Sequence, residues 1–573
     1  MARCRIRTAL AGFLPLALAG CASVGGGTVA GSFRPTEIQI LAINDFHGNL
    51  EIPPGEQSFL AADDETARAQ LGGAARLAAT LATLRAGRAN SVTVAAGDLI
   101  GASPLVSAYY LDEPAVMALN RAGLEIAAVG NHEFDKGVGE LRRMQDGGCN
   151  GGRPVGARQP CRLDDPFEGA DFTYLAANVV GPDGGTLFPA SVVRRFGNVE
   201  VGFVGMTLKD TGILSSPGGT AGYSFADEAE TANAEAARLR AAGADTVVLL
   251  IHQGVNVEPA LNVSGCPGID GPLLPILERL DPQIRLVVSG HTHQAYACEL
   301  PASDGTARLL TAAGRYGAFV TEISLTVDPR SDAVTAFAAV NRPVVAAAGE
   351  QAEVASLVER YSRDIAGQAA RIVGRIEGPL DAAPGALYRP FDHIVADAQL
   401  AATRAPDAGG AQFALMNAGG VRATFAPAAD GSVTFGQVFA LQPFGNTLSV
   451  LELTGAELIA GLEEALTRAT PGAARNALLI PSHNLHYAFD LSRPPGSRLL
   501  SIMLDGRPLD PAATYRAAAN NFIASGGDGF AFLARARPVG GGGGDLDALV
   551  AYIAGGIAAP EGTRVIDRTV IEP

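Results

Sequence analysis

The chain has 573 residues, of which 47% are hydrophobic and 18% charged, and its formal net charge at pH 7 is −16. This length exceeds one hydrophobic core, so we expect two or three globular domains, and the composition excludes a disordered chain. The acidic charge argues against a protein that binds a nucleic-acid polymer through a basic surface. A small phosphorylated ligand stays compatible with it, because metal ions reverse the local potential of an acidic site.

The N-terminus has the pattern of an export signal. A cationic start is followed by an apolar run over 9–19, which is too short to span a bilayer as a mature helix. Leu18-Ala19-Gly20-Cys21 resembles the bacterial lipobox. We expect a signal peptide over 1–20, lipidation of Cys21, and a Gly/Ser tether over 21–35 that holds the protein at the periplasmic face of an inner or outer membrane, or at the cell surface. The alternative is an ordinary signal peptide with a chance cysteine.

Residues 36–345 alternate between short β-branched runs and Ala/Leu/Arg-rich helical stretches. Runs at 37–43, 91–95, 245–251 and 284–289 predict buried strands. Helices are predicted at 72–85 and 227–242. This alternation indicates α/β layers whose strands are covered on both faces.

A segment rich in Ala, Glu and Arg follows, and it predicts one long helix from 348 to about 374. We assign 346–374 as a helical linker between domains. The remaining 375–573 mixes helical and strand patterns, which indicates a second α/β or α+β domain. The glycine run 540–544 predicts a mobile surface loop.

The cysteines outside the predicted signal indicate disulfides in an oxidising compartment. With Cys21 lipidated, Cys149, Cys161, Cys266 and Cys298 remain, and none of them forms a close CxxC motif. Three pairings are compatible with four thiols. We expect each cysteine to pair with its sequence neighbour, the first pair closing a Gly-rich loop and the second tying a loop to the segment after His293.

Five of the eight histidines come directly after buried-strand patterns of the first domain. Ligands of α/β sheets gather beyond the carboxyl ends of the strands, so these histidines can converge although they are far apart in the chain. The motifs are Asn44-Asp45-Phe46-His47-Gly48, Gly97-Asp98, Gly130-Asn131-His132-Glu133-Phe134-Asp135, Ile251-His252-Gln253-Gly254 and Gly290-His291-Thr292-His293.

These residue types are metal ligands. Asp45 and His47, two positions apart, can hold one divalent ion, and the two carboxylate oxygens of Asp98 can bridge two ions. This mixed nitrogen and oxygen set suits zinc, manganese or iron better than calcium. Two such ions lie ~3.5–4 Å apart, where they clamp a phosphoryl group and generate a hydroxide nucleophile.

The ordered motifs resemble those of the calcineurin-like metallophosphoesterase superfamily, and NDFHG, GNHEFD and GHTH resemble its 5′-nucleotidase branch. The resemblance implies a four-layer β-sandwich flanked by helices over 36–345, and a 5′-nucleotidase substrate-binding domain over 375–573. It implies two divalent metal ions, one held by Asp45, His47, Asp98 and His293, the other by Asp98, Asn131, His252 and His291. It also implies that His132 faces the phosphate and that Asp135 orients His132.

The C-terminal half carries three further motifs of that family. Asn417-Ala-Gly-Gly-Val-Arg422, Pro443-Phe444-Gly445-Asn446-Thr447 and Asn521-Phe522-Ile-Ala-Ser-Gly-Gly-Asp528-Gly-Phe530 resemble its substrate-binding loops. In relatives the two phenylalanines stack on the base, while arginine, asparagine and aspartate hold phosphate, base edge and ribose. The resemblance therefore implies substrate contacts from Asn417, Arg422, Phe444, Asn446, Phe522 and Asp528.

One segment departs from the family. The Leu-Gly-Asn core that precedes Ala-Asp-Ala in relatives is missing before Ala396-Asp397-Ala398, and only Arg389 lies nearby to replace the phosphate-binding arginines. Ser482-His483-Asn484 also replaces a Gly-rich stretch of relatives. His393, His483 and His486 have no partner at motif spacing, so we interpret them as structural.

The resemblance implies an exported metal-dependent hydrolase that removes phosphate from nucleotides, and whose range extends to nucleotide sugars and dinucleotide pyrophosphates. It implies in-line attack by a metal-activated hydroxide, and the motifs hold no Ser, Thr or Cys nucleophile for a covalent phosphoenzyme. The alternatives are a 2′,3′-cyclic-nucleotide phosphodiesterase, a thiosulfate-handling relative, and an inactive nucleotide-binding lipoprotein. The paired phenylalanines favour a substrate that carries a base.

Overall fold

The computed structural model describes residues 35–62, 65–150, 159–215, 219–381, 386–470 and 474–569. The predicted signal peptide, the lipidation site Cys21 and nearly all of the tether lie outside these ranges. Across the described part of the chain, no helix is both long enough and apolar enough to cross a membrane.

The first half of the chain is built on two six-stranded sheets, with the strand orders β16-β15-β1-β4-β5-β6 and β13-β14-β12-β11-β9-β8. The central strands of each sheet run parallel. The strands of this half are β1 (Thr36–Ile43), β2 (Gln57–Leu60), β3 (Thr66–Ala69), β4 (Ser91–Ala96), β5 (Ile126–Ala128), β6 (Thr173–Leu175), β7 (Val179–Val180), β8 (Ser191–Phe196), β9 (Val199–Thr207), β10 (Ser224–Phe225), β11 (Thr246–His252), β12 (Leu286–Ser289), β13 (Ala295–Pro301), β14 (Ala307–Ala313), β15 (Phe319–Asp328) and β16 (Ala333–Pro343).

Strand β1 shows why these runs become strands that are buried on both faces. Alternate side chains of a strand point to opposite faces of the sheet. Ile38 and Ile40 enter the core between the two sheets, and Leu41 and Ile43 enter the core between this sheet and its helices. A continuous apolar run therefore supplies apolar side chains to the cores on both faces of the sheet.

Helices cover the outer faces of both sheets. The helices up to the linker are α1 (Ala74–Arg85), α2 (Leu105–Ala108), α3 (Glu113–Ala122), α4 (Val138–Asp146), α5 (Thr211–Leu214), α6 (Glu228–Ala241), α7 (Leu274–Arg279) and α8 (Ala352–Ala370). Helices α1 and α3 pack on the sheet that contains β1, and α6 and α7 pack on the other sheet. The predicted four-layer sandwich is confirmed.

The predicted linker helix is shorter than expected at both ends. Helix α8 buries Val354, Leu357, Tyr361 and Ile365, and their spacing places them on one face of a helix. This face packs against α1 and α3. Helix α8 therefore belongs to the core of the first half of the chain, and a strand begins two residues after it ends.

The second half is an α/β unit with its own core. Its strands form a five-stranded sheet β21-β18-β25-β20-β26, a four-stranded sheet β24-β23-β22-β28 and a three-stranded sheet β19-β17-β27. The elements are β17 (Ile372–Glu377), α9 (Pro390–Thr403), β18 (Phe413–Asn417), β19 (Ser432–Thr434), α10 (Phe435–Leu441), β20 (Thr447–Thr454), α11 (Gly455–Arg468), α12 (Ala474–Ala477), β21 (Leu479–Pro481), β22 (Leu485–Phe489), β23 (Leu499–Leu504), β24 (Arg507–Pro508), β25 (Thr514–Asn520), α13 (Asn521–Ala524), α14 (Ala531–Arg535), β26 (Arg537–Gly544), α15 (Asp545–Ala554), β27 (Ile557–Ala558) and β28 (Val565–Asp567).

The glycine run 540–544 is not the surface loop that we predicted. It forms most of β26, which pairs antiparallel with β20 at the edge of the five-stranded sheet. A side chain at Gly540 would place its Cβ 2.4 Å from Gly409 Cα, so the close approach of two backbones requires glycine there. Low β-propensity is overridden because the edge strand packs against a neighbouring turn.

One of the two predicted disulfides is present. Cys149 and Cys161 are bonded, with Cα atoms 5.4 Å apart. Cys266 and Cys298 are free thiols, so the second prediction is wrong. Gly265 pairs antiparallel with Ala297. That register places Cys298 diagonally across from Cys266, and the two thiols share a hydrogen bond that lowers the pKa of Cys266 and raises that of Cys298.

Candidate active site

The five predicted metal motifs meet at one edge of the sandwich. Asp45 follows β1, Asp98 follows β4, Asn131 follows β5, His252 ends β11 and His291 follows β12. All five strands belong to the parallel parts of their sheets, so their carboxyl ends face the same side. The two sheets of the sandwich thus bring together residues that are more than two hundred positions apart.

The backbone at this edge adopts an uncommon conformation. Asp45, His47, Asp98, His291 and His293 have φ between 47° and 71°. Residues other than glycine rarely adopt this left-handed conformation. Those that do cluster at functional sites, where the surrounding fold holds them in place. This conformation directs their side chains into one buried volume, in which Asp45, His47 and Asp98 are at most 1% exposed.

A first group consists of Asp45, His47 and His293, and one ligand atom from each lies within 4.8 Å of the other two. His47 Nε2 is 3.1 Å from His293 Nε2. The opposite ring nitrogen, His47 Nδ1, donates a hydrogen bond to the Gly101 carbonyl at 2.8 Å. This bond leaves the lone pair of Nε2 directed into the group, as a metal ligand requires.

A second group consists of Asp98, His252 and His291, with the same spacing of ligand atoms. His252 Nδ1 donates to the Ala96 carbonyl at 2.7 Å. Its Nε2 is buried without a hydrogen bond and faces Asp98 Oδ2 at 3.0 Å. A buried nitrogen that faces a carboxylate without a hydrogen bond fits a cation bound between them.

Asp98 lies between the two groups, since its Oδ2 is also 3.6 Å from His47 Nε2. Asn131 stands beside the second group, with its amide oxygen 3.1 Å from His291 Nδ1. The structure therefore brings together all seven residues for which metal contacts were predicted, in the same two groups. Mixed carboxylate, amide and imidazole donors at these spacings fit two divalent cations.

His132 and Asp135 form the predicted pair, with His132 Nδ1 donating to Asp135 Oδ2 at 2.8 Å. Burial alone would lower the pKa of His132, but the carboxylates of Asp135 and Asp98 raise it above its ordinary value. The ring therefore carries a proton more readily than a free histidine, which suits contact with an anionic group.

Glu133 was missed by the sequence analysis. Its carboxylate is 2% exposed and accepts hydrogen bonds from the backbone N–H groups of Asp98, Leu99 and Gly130. One buried side chain thus braces the loop that carries Asp98 against the loop that carries Asn131. Burial raises the pKa of Glu133 to about 7.

A cavity of about 200 Å³ opens between the metal cluster and the second half of the chain. It contains His132, Asp135, Asn131 and His291 from the first half. The six predicted substrate contacts line its other side, and they are Asn417, Arg422, Phe444, Asn446, Phe522 and Asp528. The sequence motifs of both halves therefore face one cleft.

Contacts within this cavity order its polar side chains. Asn417 Nδ2 donates to Asp528 Oδ2 at 2.7 Å. The ring of Phe444 lies nearly parallel to that of His132, with centroids 5.8 Å apart, and the Arg422 guanidinium lies 5.7 Å from the Phe444 centroid. Burial raises the pKa of Asp528.

A second cavity of about 620 Å³ adjoins the first, sharing His291, Arg422 and Asp528 with it. Its charged lining is dominated by arginines, which are Arg315, Arg389, Arg422, Arg468 and Arg475. Arg389 and Arg475 both bind the buried carboxylate of Asp392. The described residues place no carboxylate within 4 Å of the guanidinium nitrogens of Arg315, Arg422 or Arg468, so the cavity is strongly positive.

Three of those arginines and Tyr316 were missed by the sequence analysis. Arg315 and Tyr316 come just after β14, whose carboxyl end meets the same sheet edge. The Tyr316 backbone N–H donates to the Asp45 carbonyl at 2.7 Å. The rule that placed the other ligands after strand ends would have identified this pair. Arg468 and Arg475 lie at helix ends in the second half, where no sequence signal marks them.

The comparisons with known proteins agree with this geometry. The family model of calcineurin-like phosphoesterases matches residues 38–295, and the model of the 5′-nucleotidase C-terminal domain matches residues 386–535. The first match and the cluster at the sheet edge define the class of the protein as a metallophosphoesterase, a hydrolase whose family depends on metals. Both matches together cover more than half of the chain, and the chain belongs to the 5′-nucleotidase family.

Similar proteins span nearly the whole chain. Cell wall protein Lmo0130 of Listeria monocytogenes is 29% identical over 92% of this chain and 68% of its own length. The 5′-nucleotidase of Bos taurus is 24% identical over 87% of this chain and 85% of its own length. The crystal structure of a 5′-nucleotidase precursor from Thermus thermophilus has a TM-score of 0.74 and 26% identity, covering 94% of this chain and 100% of that one.

Proposed function

We propose that the chain removes phosphate from nucleotides, with two divalent metal ions in the buried cluster. The observation that carries this proposal is that one cleft contains both the cluster and a pocket with two phenylalanines, Phe444 and Phe522. A phosphate ester without a base would need only the metal cluster. A substrate with a phosphate at one end and a planar base at the other uses both.

Metal ions in this cluster would bind phosphoryl oxygens and activate water for attack on phosphorus. We assign Asp45, His47 and His293 to one ion and Asn131, His252 and His291 to the other, with Asp98 between them. The support for this is the grouping of their ligand atoms into two clusters that Asp98 joins. Zinc and manganese fit these donors.

His132 would contact the phosphate and carry the proton that the departing oxygen takes up. Its Nδ1 is occupied by Asp135, so Nε2 is the atom left for this role. Asp135 fixes the ring and, with Asp98, favours its protonated form. General acid catalysis by such a group contributes ~10²–10⁴-fold to a rate.

The second half of the chain would hold the nucleoside. Phe444 and Phe522 would stack on the two faces of the base, which is worth ~1–3 kcal/mol per aromatic contact. Asp528 and Asn417, already hydrogen-bonded to each other, would accept from and donate to ribose hydroxyls. Asn446 would contact the edge of the base and Arg422 the phosphate.

The arginine cavity favours substrates with a second phosphate. Its positive lining stands out in a protein of net charge −16, and guanidinium groups bind phosphates through paired donors. Arg389, Arg468 and Arg475 would replace the phosphate-binding arginines of relatives, which are missing from the segment before Ala396 where this chain departs from the family. We therefore include nucleotide sugars and dinucleotide pyrophosphates in the proposed range.

We further propose that the protein is exported and held at a membrane through Cys21. The lipobox supports the anchor, and the similarity to a cell wall protein supports a place outside the cytoplasm. The proposed domains are 36–345 and 375–573 with the linker 346–374; the separate cores of the two halves support two domains, and helix α8 of the linker packs into the core of the first.

A substrate panel with matched variants tests the function. With manganese or zinc, the purified protein should release inorganic phosphate from AMP or ADP, or hydrolyse the pyrophosphate of UDP-glucose to UMP and glucose 1-phosphate or that of NAD to AMP and nicotinamide mononucleotide. Phe522→Ala should raise KM for AMP about 5- to 150-fold, the range that corresponds to one stacking contact. The same variant should leave the KM for p-nitrophenyl phosphate, which lacks a nucleobase, unchanged.

Two results would contradict the proposal. Hydrolysis confined to 2′,3′-cyclic AMP would favour the phosphodiesterase alternative. No hydrolysis of any nucleotide by the metal-loaded protein, together with tight nucleotide binding, would favour an inactive nucleotide-binding protein.

A further inference from the structure

The segment between β4 and α3, which includes the short helix α2, connects the metal cluster to a buried charge. Gly101 is in the loop before α2, and its carbonyl accepts the hydrogen bond from His47 Nδ1 at 2.8 Å. Its own N–H donates to Asp112 Oδ2 at 3.3 Å. One peptide segment therefore links the carboxylate of Asp112 to the ring orientation of His47.

Gly101 also touches the catalytic pair. Its φ is 79°, and a Cβ at this position would lie 2.5 Å from the His132 carbonyl oxygen and 2.7 Å from Asp135 Oδ2. The loop thus packs against His132 and Asp135 as closely as backbone atoms allow. A shift of the loop would move His47 and the catalytic pair together.

Asp112 is fully buried and is bound to a lysine. Its Oδ2 is 2.5 Å from Lys136 Nζ, and its Oδ1 accepts from Ser107 Oγ at 2.8 Å. Burial alone would raise the pKa of Asp112, but the Lys136 ammonium and the nearby hydroxyls hold it below its ordinary value. Lys136 directly follows Asp135 in the chain, so the ion pair joins the Gly101 loop to the segment of the catalytic pair.

We propose that Asp112 and Lys136 are positioning residues for both parts of the site. Through Gly101 they keep His47 in the Nδ1–H form that presents Nε2 to a metal ion, and through Lys136 they hold Asp135 and His132 beside that ion. Partners that bond directly to a ligand typically change metal affinity ~10- to 100-fold when they are removed; Asp112 acts one bond further back, through Gly101, and we expect a change of that order. The inference rests on the proposed metal-dependent function and adds residues that no motif contains.

The chain offers a matched control in Glu113, the next residue. Glu113 is also buried, and it pairs with the buried Arg143 at 2.7 Å. Its carboxylate accepts a hydrogen bond from the backbone N–H of Cys161 at 2.9 Å. The hydrogen bonds described for Gly101 go to His47, Asp112 and Ser103 instead. Breaking a buried pair destabilises a protein wherever it lies, so Glu113→Gln reports the effect of instability alone.

The experiment measures manganese binding to metal-free protein by titration calorimetry. Asp112→Asn and Lys136→Met should each weaken one of the two binding steps about 10- to 100-fold and change the other less than twofold. Glu113→Gln should keep both steps at wild-type affinity. At saturating manganese, Lys136→Met should lower kcat for AMP more than it changes KM. If Asp112→Asn does not fold, Lys136→Met carries the test.

A second measurement observes the tautomer directly. In metal-free protein labelled with ¹⁵N-histidine, His47 should show one Nδ1–H tautomer, and Asp112→Asn should show a mixture. Wild-type affinities and a single tautomer in both variants would overturn the inference. So would equal weakening of both steps in all three variants, which would indicate loss of stability alone. If the wild type bound neither manganese nor zinc, the proposed function itself would fail, a different result from either of these.

Discussion

At the scale of single residues, burial separates the histidines of the site by their chemistry. Burial lowers the pKa of His47 and of His291 to about 3, so both rings stay neutral. Neutral imidazoles are the form that binds metals. His132 lies in the same cleft but has its pKa raised by two carboxylates. His252 differs from the ligands His47 and His291, because Asp98 raises the pKa of its ring to about 10 against the effect of burial. Of these four rings, in the cleft without metal ions, two stay neutral and two take up a proton.

This separation leads to a prediction about two substitutions. Asp98→Ala should lose both bound metal and turnover, because the carboxylate between the two groups disappears. His132→Ala should keep its metal content and lose turnover by ~10²–10⁴-fold. Metal content measured by mass spectrometry, together with kcat for AMP, separates the two effects.

The control is His483→Ala, because His483 has 54% of its side chain exposed and lies outside both cavities. It should change neither quantity. Parallel loss of metal and turnover in His132→Ala would instead make that residue a ligand.

Sequence reasoning at this scale worked where polar residues follow buried strands. It placed Asp45, Asp98 and His252 because the ends of parallel strands share one sheet edge. It could not find Asp112 or Lys136, because an ion pair between two separate segments has no periodicity or motif. For Cys266 and Cys298 it predicted the neighbourhood and not the bond, because the two thiols share a hydrogen bond but are not joined in a disulfide.

At the scale of elements, apolar runs predicted strands reliably where both faces of a sheet are covered. The limits of β1 and β4 lie within one residue of the predicted ones. Strand β26 was missed because its glycines have low β-propensity; the close approach of Gly409 explains Gly540, and that of the Leu448 carbonyl explains Gly541. The local sequence predicts an element where the burial of that segment's own side chains requires it. Strand β26 instead depends on a partner that is more than one hundred residues away.

Helix α9 carries the next prediction, which concerns pH. Its His393 is 4% exposed, and burial together with the nearby Arg564 lowers the pKa of His393 to about 4. The unfolded chain takes up a proton near the ordinary value of 6.5, whereas the folded protein does so only near 4. Between these values the unfolded state binds more protons, so stability falls as the pH drops from 6.5 to 4.

The loss of folding stability caused by His393 should reach about 3 kcal/mol at pH 4. Replacing the ring by His393→Gln removes it, so the variant should gain stability relative to the wild type as the pH falls. Urea denaturation followed by circular dichroism from pH 4.5 to 7.5 measures the difference. His486→Gln, at an exposed position of β22, should show no such trend. A difference between His393→Gln and wild type that is independent of pH would contradict the assignment.

At the scale of the whole molecule, the site is divided between the two halves of the chain. The two groups of candidate metal ligands belong to residues 45–293, and the proposed base and ribose contacts belong to residues 417–528. The halves touch where Phe444 lies against His132 and where α5 packs on the turn Gly527–Gly529. A nucleotide that fills the cleft has to contact both halves, so its entry and the release of products require them to separate.

The last prediction follows from this division. A cysteine pair engineered between α5 and the turn Gly527–Gly529 should lock the halves together when oxidised. Turnover of AMP should then fall at least about tenfold, because product release through domain opening commonly limits turnover in such enzymes. A reductant should restore it.

The reductant also opens the bond between Cys149 and Cys161. Wild-type protein therefore receives the same treatment, and its turnover should not change. Mass spectrometry of the oxidised variant has to verify the new crosslink before turnover is compared. A verified crosslink with unchanged turnover would show that the halves need not separate, and the cleft would then have to admit substrate through the open side of the arginine cavity.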